Sequence, residues 1–157
     1  MEGSCTCGRV RFRLTDRPLF VHACHCRWCQ RETGSAFAWN AMIEADRVDL
    51  LAGEPVAVMT PSASGQGQEI LRCPDCHVAL WSHYASMRRA LAFVRVGTLA
   101  RPADYPPDIH IFAETRQLWV TPAPGVPVAA EYYDRRTLWP DWALERFAAL
   151  TTRIDAR

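Results

Sequence analysis

The sequence has none of the features that mark a membrane-spanning or a nucleic-acid-binding protein. No apolar run approaches the roughly 18 to 20 residues that a membrane span needs. Eighteen basic residues against seventeen acidic ones give a formal net charge of +1, and the arginines are scattered along the chain. This balance predicts no strong field toward nucleic acid or an anionic membrane, so neither is expected among the partners.

The N-terminal residues also lack the pattern of a secretory signal, in which a basic segment precedes an apolar stretch. A cytoplasmic location is therefore expected. Common catalytic motifs are missing too, since no HExxH, Walker A or nucleophile-elbow sequence occurs in the 157 residues. With 49% hydrophobic and 22% charged residues, the composition is that of a globular protein able to build a core.

Short alternating segments predict a mainly β fold. Val10, Phe12 and Leu14 alternate with arginines, which is typical of a strand with one solvated face. The small polar residues of 61–68 predict a loop. Further strands are predicted at 20–23, 36–43, 48–51, 56–59, 69–71, 78–84, 91–96 and 110–113.

Two segments are predicted to be helical. Residues 27–33 can form one or two turns that end at Gly34. A second helix is predicted near the C-terminus, with Asp141 as its N-terminal cap. Its apolar residues recur at helical spacing: Ala143, Phe147, Leu150 and Ile154.

Seven cysteines fall into three tight clusters, and their number is odd. A reducing compartment disfavours structural disulfides, and an odd count cannot pair fully within one molecule. We therefore interpret the clusters as metal ligands, with zinc as the expected ion. The clusters are Cys5 and Cys7; Cys24, Cys26 and Cys29; and Cys73 and Cys76.

The first and third clusters predict one closed structural site. Cys73 and Cys76 form a CxxC turn, and alternate residues of a strand would point Cys5 and Cys7 to the same side. Each pair supplies half of a zinc tetrahedron. The closed site would join the ends of a loop of more than sixty residues, and metal binding would contribute directly to folding.

The middle cluster, CxCxxC, supplies three thiolates and leaves no fourth cysteine. Three protein ligands plus one exchangeable position are typical of a catalytic zinc site, where a substrate thiol can bind as its thiolate. Trp28 would lie beside the metal and could line a substrate pocket. Arg27 and Arg31 flank the cluster and could contact a carboxylate.

Three alternatives remain open at this stage. His22, His25 or another histidine could complete a second closed site, although the side chain of His25 should point away from its cysteine neighbours. The middle cluster could instead borrow a ligand from another pair. Redox chemistry at Cys73 and Cys76 is a third alternative, but the HVALWSHYA segment that follows predicts a strand where a thioredoxin-type motif needs a helix.

The order of the motifs resembles the glutathione-dependent formaldehyde-activating enzyme family. GSCTCGRVRFRL, HACHCRWCQRETGSAF, ILRCPDCHVALWSH, VRVGTL and DIHIFAETRQLWV carry the resemblance, which extends from about Gly3 to Tyr133. It implies a β-tent fold of short antiparallel sheets pinned by two zinc ions. Cys5, Cys7, Cys73 and Cys76 match the structural ligands of the family; Cys24, Cys26 and Cys29 match the ligands of its catalytic zinc.

The resemblance also implies an activity. The reaction of the family joins glutathione to formaldehyde as S-hydroxymethylglutathione and is classed as a carbon–sulfur lyase reaction. The expected partners are therefore a small thiol such as glutathione and a small aldehyde. His77 replaces the usual glycine of the family after the CxxC, so a different turn is expected there.

Two hypotheses follow, which differ in class. The first is a zinc-dependent enzyme that adds a thiol to an aldehyde, with residues 1–135 as the β-tent domain and 136–157 as a helical extension packed on it. The second is a noncatalytic zinc-binding or interaction module in which both metal sites are structural.

Overall fold

The computed structural model describes residues 1–156, and most of its regular structure is β. The two α-helices in that part of the chain are α1 (Arg27–Thr33) and α2 (Asp141–Asp155). The strands are β1 (Glu2–Ser4), β2 (Arg11–Leu14), β3 (Phe20–Cys24), β4 (Ala38–Glu44), β5 (Val48–Ala52), β6 (Val56–Thr60), β7 (Gln68–Arg72), β8 (Ala79–Tyr84), β9 (Leu91–Arg95) and β10 (Ile109–Ile111).

The strands form two sheets. A three-stranded sheet has the order β1-β2-β5, and a seven-stranded sheet has the order β10-β3-β4-β9-β8-β7-β6. Their pairings are antiparallel except for β10, which lies parallel to β3 and places Ile111 beside Cys24. The prediction of a mainly β fold of short, largely antiparallel sheets with a C-terminal helix is confirmed.

Alternation along the sequence located the strands well, but some of their ends were wrong. In β2 the arginines are exposed while Phe12 and Leu14 are buried, as one-sided patterning requires. Gln68, predicted in the loop, is the first residue of β7. The predicted strand at 110–113 stops at Ile111 because Phe112 adopts a left-handed conformation, with φ of 55°.

Strand β4 lies between two apolar cores and contributes side chains to both. Ala41 and Ile43 belong to the first core, together with Phe12 and Leu80. Ala38 and Met42, which point to the opposite face, belong to the second. The sheet therefore carries a core on each side of β4, which explains why this segment is almost continuously apolar.

The C-terminal helix α2 is part of the second core. Its buried residues Ala143, Phe147 and Leu150 pack in the same cluster as Leu19 and Phe20 of the β domain. The division of the chain after residue 135 stays a prediction. Neither described helix combines the length and the apolar character that crossing a membrane requires.

The predicted N-terminal cap of α2 was wrong. Asp141 is the first helical residue, and Pro140 occupies the cap position without a side-chain hydrogen bond. Proline is tolerated there because the first amides of a helix have no intrahelical partner. The carboxylate of Asp141 still lies in the first turn, where the helix dipole favours negative charge.

Candidate functional site

The cysteines of the first and third clusters converge into one group, here called the four-cysteine group. The Sγ atoms of Cys5, Cys7, Cys73 and Cys76 all lie within 4.8 Å of one another. Cys5 Sγ is 3.5 Å from Cys7 Sγ, and Cys7 Sγ is 3.6 Å from Cys73 Sγ. Four sulfurs around one zinc lie about 3.8 Å apart when each Zn–S bond is about 2.3 Å, so this donor set fits a tetrahedral ion.

The N-terminal half of this group is presented by a turn, and the predicted strand is wrong. Strand β1 ends at Ser4, and the chain then reverses so that the Gly8 amide donates to the Cys5 carbonyl oxygen at 3.1 Å. Gly8 takes a φ of 77°, which suits glycine. The Val10 amide donates to Cys5 Sγ at 3.3 Å and orients this sulfur.

The other half is a CxxC turn between β7 and β8. The His77 amide donates to the Cys73 carbonyl oxygen at 3.0 Å, and His77 has a φ of 59°. His77 thus adopts the left-handed conformation that glycine enters without steric cost. A strand, β8, follows the motif, as predicted, which argues against a thioredoxin-type redox site.

The second cluster forms a separate group, here called the cysteine triad. The Sγ atoms of Cys24, Cys26 and Cys29 lie within 4.8 Å of one another. Cys24 ends β3, Cys26 precedes the first residue of α1, and Cys29 lies within that helix. In the described part of the chain, no further histidine, cysteine or carboxylate joins the triad as a candidate ligand.

The two histidines considered as a fourth ligand make other contacts. His25 Nε2 is hydrogen-bonded to His110 Nδ1 at 2.8 Å, and the two rings stack. His22 Nε2 is hydrogen-bonded to the hydroxyl of Tyr133 at 2.6 Å. Burial lowers the pKa of His22 to about 4, so its imidazole is neutral at neutral pH.

Long-range hydrogen bonds hold the triad segment in place. The carbonyl oxygen of His25 accepts from Gln30 Nε2 at 2.6 Å and from the hydroxyl of Thr115 at 2.9 Å. The His25 amide donates to the carbonyl oxygen of Ile111 at 2.9 Å. The turn between Cys24 and Cys26 is therefore fixed from three directions.

The three thiols of the triad shift one another's pKa values. Hydrogen bonding with Cys24 and Cys29 holds the pKa of the Cys26 thiol far below its ordinary value. Hydrogen bonding with Cys26 raises the pKa of Cys24, and burial acts in the same direction. Such a cluster of converging sulfurs is a soft donor set that suits zinc, which would replace the thiol protons.

A pocket of about 430 Å³ opens at the triad. The three triad cysteines line it, together with neutral polar residues such as Asn40, Ser62 and Gln68. The cysteines of the four-cysteine group do not line this pocket. Its aromatic lining comprises Trp28, Tyr84, Phe93, Phe112 and Tyr132.

The sequence predicted Trp28 in the pocket lining and gave no indication of the other four aromatic residues. The missed side chains come from distant segments that only the sheet and the following loops bring together. One local signal was present: Asn40 and Gln68 are amides next to apolar strand residues, and both are buried. Arg27 and Arg31, considered as contacts for a carboxylate, are exposed and do not line the pocket.

A buried ion network connects the two cysteine groups. Glu32, one turn after Cys29 on α1, accepts from both Arg72 and Arg95, the latter at 2.8 Å. Arg72 also donates to the carbonyl oxygen of His77 in the CxxC turn at 3.2 Å. Arg95 donates to Asn40 Oδ1 in the pocket wall at 2.5 Å. Helix α1 is thereby fixed against β4, β7 and β9.

The donor sets therefore indicate two kinds of metal site. Four sulfurs can close a tetrahedron, which is the arrangement of structural zinc. Three sulfurs at the wall of a pocket leave one coordination position for a ligand, which is the arrangement of catalytic zinc.

Comparisons with known proteins agree with this geometry. A family model described as glutathione-dependent formaldehyde-activating enzyme matches residues 1–115. A Halomonas elongata protein with the provisional name of a glutathione-dependent formaldehyde-activating enzyme is 28% identical over 127 residues, which cover 76% of this chain and 79% of that relative. A solved structure from Rhodobacter sphaeroides is similar in fold, with a TM-score of 0.50 at 18% identity, over 82% of this chain and 99% of the other.

Because the family model spans most of the chain, this protein belongs to the glutathione-dependent formaldehyde-activating enzyme family.

Proposed function

We propose that this protein catalyses the addition of glutathione, or another small thiol, to formaldehyde or a related aldehyde, with the reactivity of a carbon–sulfur lyase. One observation carries the proposal: three converging thiols line a pocket of about 430 Å³, while four other thiols form a complete set away from it. We assign Cys24, Cys26 and Cys29 to a catalytic zinc site and Cys5, Cys7, Cys73 and Cys76 to a structural one.

The proposed reaction needs no oxidant or reductant. The thiol sulfur forms a bond to the aldehyde carbon, the C=O double bond becomes a single bond, and the thiol proton ends on the oxygen. A zinc ion held by the triad would lower the pKa of the substrate thiol and supply a thiolate at neutral pH. The chain contributes position: Trp28 and Tyr132 enclose the reactants, and the hydrogen bonds of His25 fix the triad.

The composition of the chain supports direct addition over an imine route. The sequence contains no lysine, so no lysine ε-amine can hold the aldehyde as a Schiff base. The nucleophile must then be the substrate thiol or a cysteine. The seven cysteines are all free, and a reducing compartment such as the cytoplasm, where we place this protein, keeps them available.

The proposal is tested by exchange NMR of glutathione, formaldehyde and their adduct. We expect the wild type to accelerate exchange well above the uncatalysed rate and Cys26→Ser to lose most of the acceleration. Trp119→Ala serves as a folded control, because Trp119 is exposed and does not line the pocket. Identical rates for wild type, Cys26→Ser and the protein-free sample would refute formaldehyde activation and favour a noncatalytic zinc module.

A further inference from the structure

The pocket beside the triad offers no lysine or arginine side chain to a substrate carboxylate. Among its lining residues, all within the described part of the chain, none is Asp, Glu, Lys or Arg, and the triad thiols are its acidic groups. Arg95 lies close by, but its guanidinium is already bonded to Glu32 and Asn40. A carboxylate placed inside would lose its hydration without gaining an ion pair with a lysine or arginine, which disfavours anionic substituents.

The pocket is also much larger than formaldehyde needs. A water molecule occupies about 30 Å³ of liquid, and formaldehyde has only two heavy atoms, whereas the pocket measures about 430 Å³. The charged ends of glutathione do not account for the surplus volume, because they are more stable in the water at the pocket mouth. The interior is therefore free for an uncharged group attached to the other reactant.

Aromatic side chains form the walls of this interior, and their own contacts hold them in place. Tyr84 and Phe93 meet edge to face, with ring centroids 4.8 Å apart. Tyr132 stacks on Tyr133 at 5.0 Å, and the Tyr133 hydroxyl is bonded to His22 and, at 2.7 Å, accepts from Trp139. A preformed aromatic cavity favours a flat apolar guest, since aromatic pairs add to ordinary apolar burial.

We propose that this pocket selects an uncharged aldehyde with a ring-sized apolar substituent. The proposal rests on the thiol–aldehyde reaction proposed above and names the substrate class of the same site. Formaldehyde would then be a small substrate that leaves most of the cavity unfilled.

The first test compares three aldehydes with glutathione: formaldehyde, phenylacetaldehyde and glyoxylate. We expect the acceleration over background to be at least about tenfold greater for phenylacetaldehyde than for formaldehyde, because a buried ring contributes that order of binding. Glyoxylate, which is small and charged, should be accelerated least. Acceleration of formaldehyde without any advantage for phenylacetaldehyde would overturn this inference and leave the proposed function standing.

A pair of tryptophan variants tests the role of the aromatic wall. Trp28→Ala should lower the preference for phenylacetaldehyde several-fold, while Trp119→Ala, a matched change of an exposed tryptophan outside the pocket, should leave it unchanged. An unchanged preference in Trp28→Ala would refute the role of this wall.

If no aldehyde is accelerated, a binding measurement still tests the selectivity of the pocket. Calorimetric titration with 2-phenylethanol and with phenylacetate compares an uncharged ring with a charged one in the folded protein. We expect 2-phenylethanol to bind at least about tenfold more tightly, and Trp28→Ala to weaken it. Saturable binding that is tighter for 2-phenylethanol than for phenylacetate would support the pocket selectivity even though the proposed reaction had failed. Equal affinities for the two compounds, or no binding, would overturn the pocket selectivity as well as the proposed reaction.

Discussion

A zinc ion held by the four-cysteine group would join Cys7 to Cys73, 66 positions apart in the chain, and the loss of this cross-link should remove much of the stability. Closing a loop of that length in the unfolded chain costs about 4 kcal/mol in conformational entropy by the relation used for disulfides. An ion held by the triad would close only the short segment from Cys24 to Cys29, for which the same relation gives about 2 kcal/mol. The free energy of unfolding of a domain is only about 5 to 15 kcal/mol, so the difference between these two loop-closure costs is measurable.

The perturbation that isolates the cross-link is the double variant Cys7→Ser/Cys76→Ser, which leaves two sulfurs in the group, as Cys26→Ser does in the triad. The two buried cysteines of the group, Cys5 and Cys73, are kept, so the core stays intact. We expect the Tm to fall by about 8 to 16 °C, and by about half that for Cys26→Ser. Cys73→Ser should be worse than either, since it also places a hydroxyl at a fully buried position and largely prevents folding.

The assay is thermal unfolding by circular dichroism with zinc supplied, combined with elemental analysis of bound zinc. Cys26→Ser should remain folded with one zinc ion per chain. Equal losses of Tm for the double variant Cys7→Ser/Cys76→Ser and for Cys26→Ser would refute the division into a structural and a catalytic site.

Three further predictions concern the ion network, the C-terminal helix and pH. Glu32→Gln should lower the free energy of unfolding in urea by about 3 kcal/mol because it leaves buried Arg95 without its carboxylate, while the exposed control Glu145→Gln should change it by less than about 0.5 kcal/mol. Phe147→Ala should cost about 3 to 4 kcal/mol in the same assay if α2 is integral to the second core, and a change below about 1 kcal/mol would contradict that packing. Burial lowers the pKa of His83 below its ordinary 6.5. The contribution of neutral His83 to stability is therefore present above pH 6.5 and is lost as the pH falls below 6.5. Between about pH 7.5 and 5.5, the free energy of unfolding should fall less in His83→Gln than in the wild type.

Local patterns in the sequence were sufficient to predict most strands and both helices. Alternating arginines and apolar residues located β2, and Gly34, with a φ of 63°, ends α1 where glycine predicted it. These predictions succeed because side-chain periodicity and backbone preference are set by residues close in sequence. The errors fall at element ends, as at Gln68 and Asp141, where tertiary contacts and neighbouring prolines decide the boundary.

The cysteine spacing likewise predicted which thiols share a site, but not how the chain presents them. The turn at Cys5 replaces an expected strand, because the Gly8 and Val10 amides are satisfied by Cys5 itself. The spacing also left the role of the nearby histidines open. The structure directs His25 to His110 and His22 to Tyr133, partners 85 and 111 residues away, which no local pattern could reveal.

The sequence by itself determined the β character, the two cysteine groups and the family, since these depend on residue type and short spacing. Only the tertiary structure decided that the triad opens into a pocket with aromatic walls and without a lysine or arginine in its lining. The physical reason is that a pocket is a property of contacts between distant strands. Arg95, Asn40 and Glu32 meet across three elements, and their hydrogen bonds exist only once the sheet has formed.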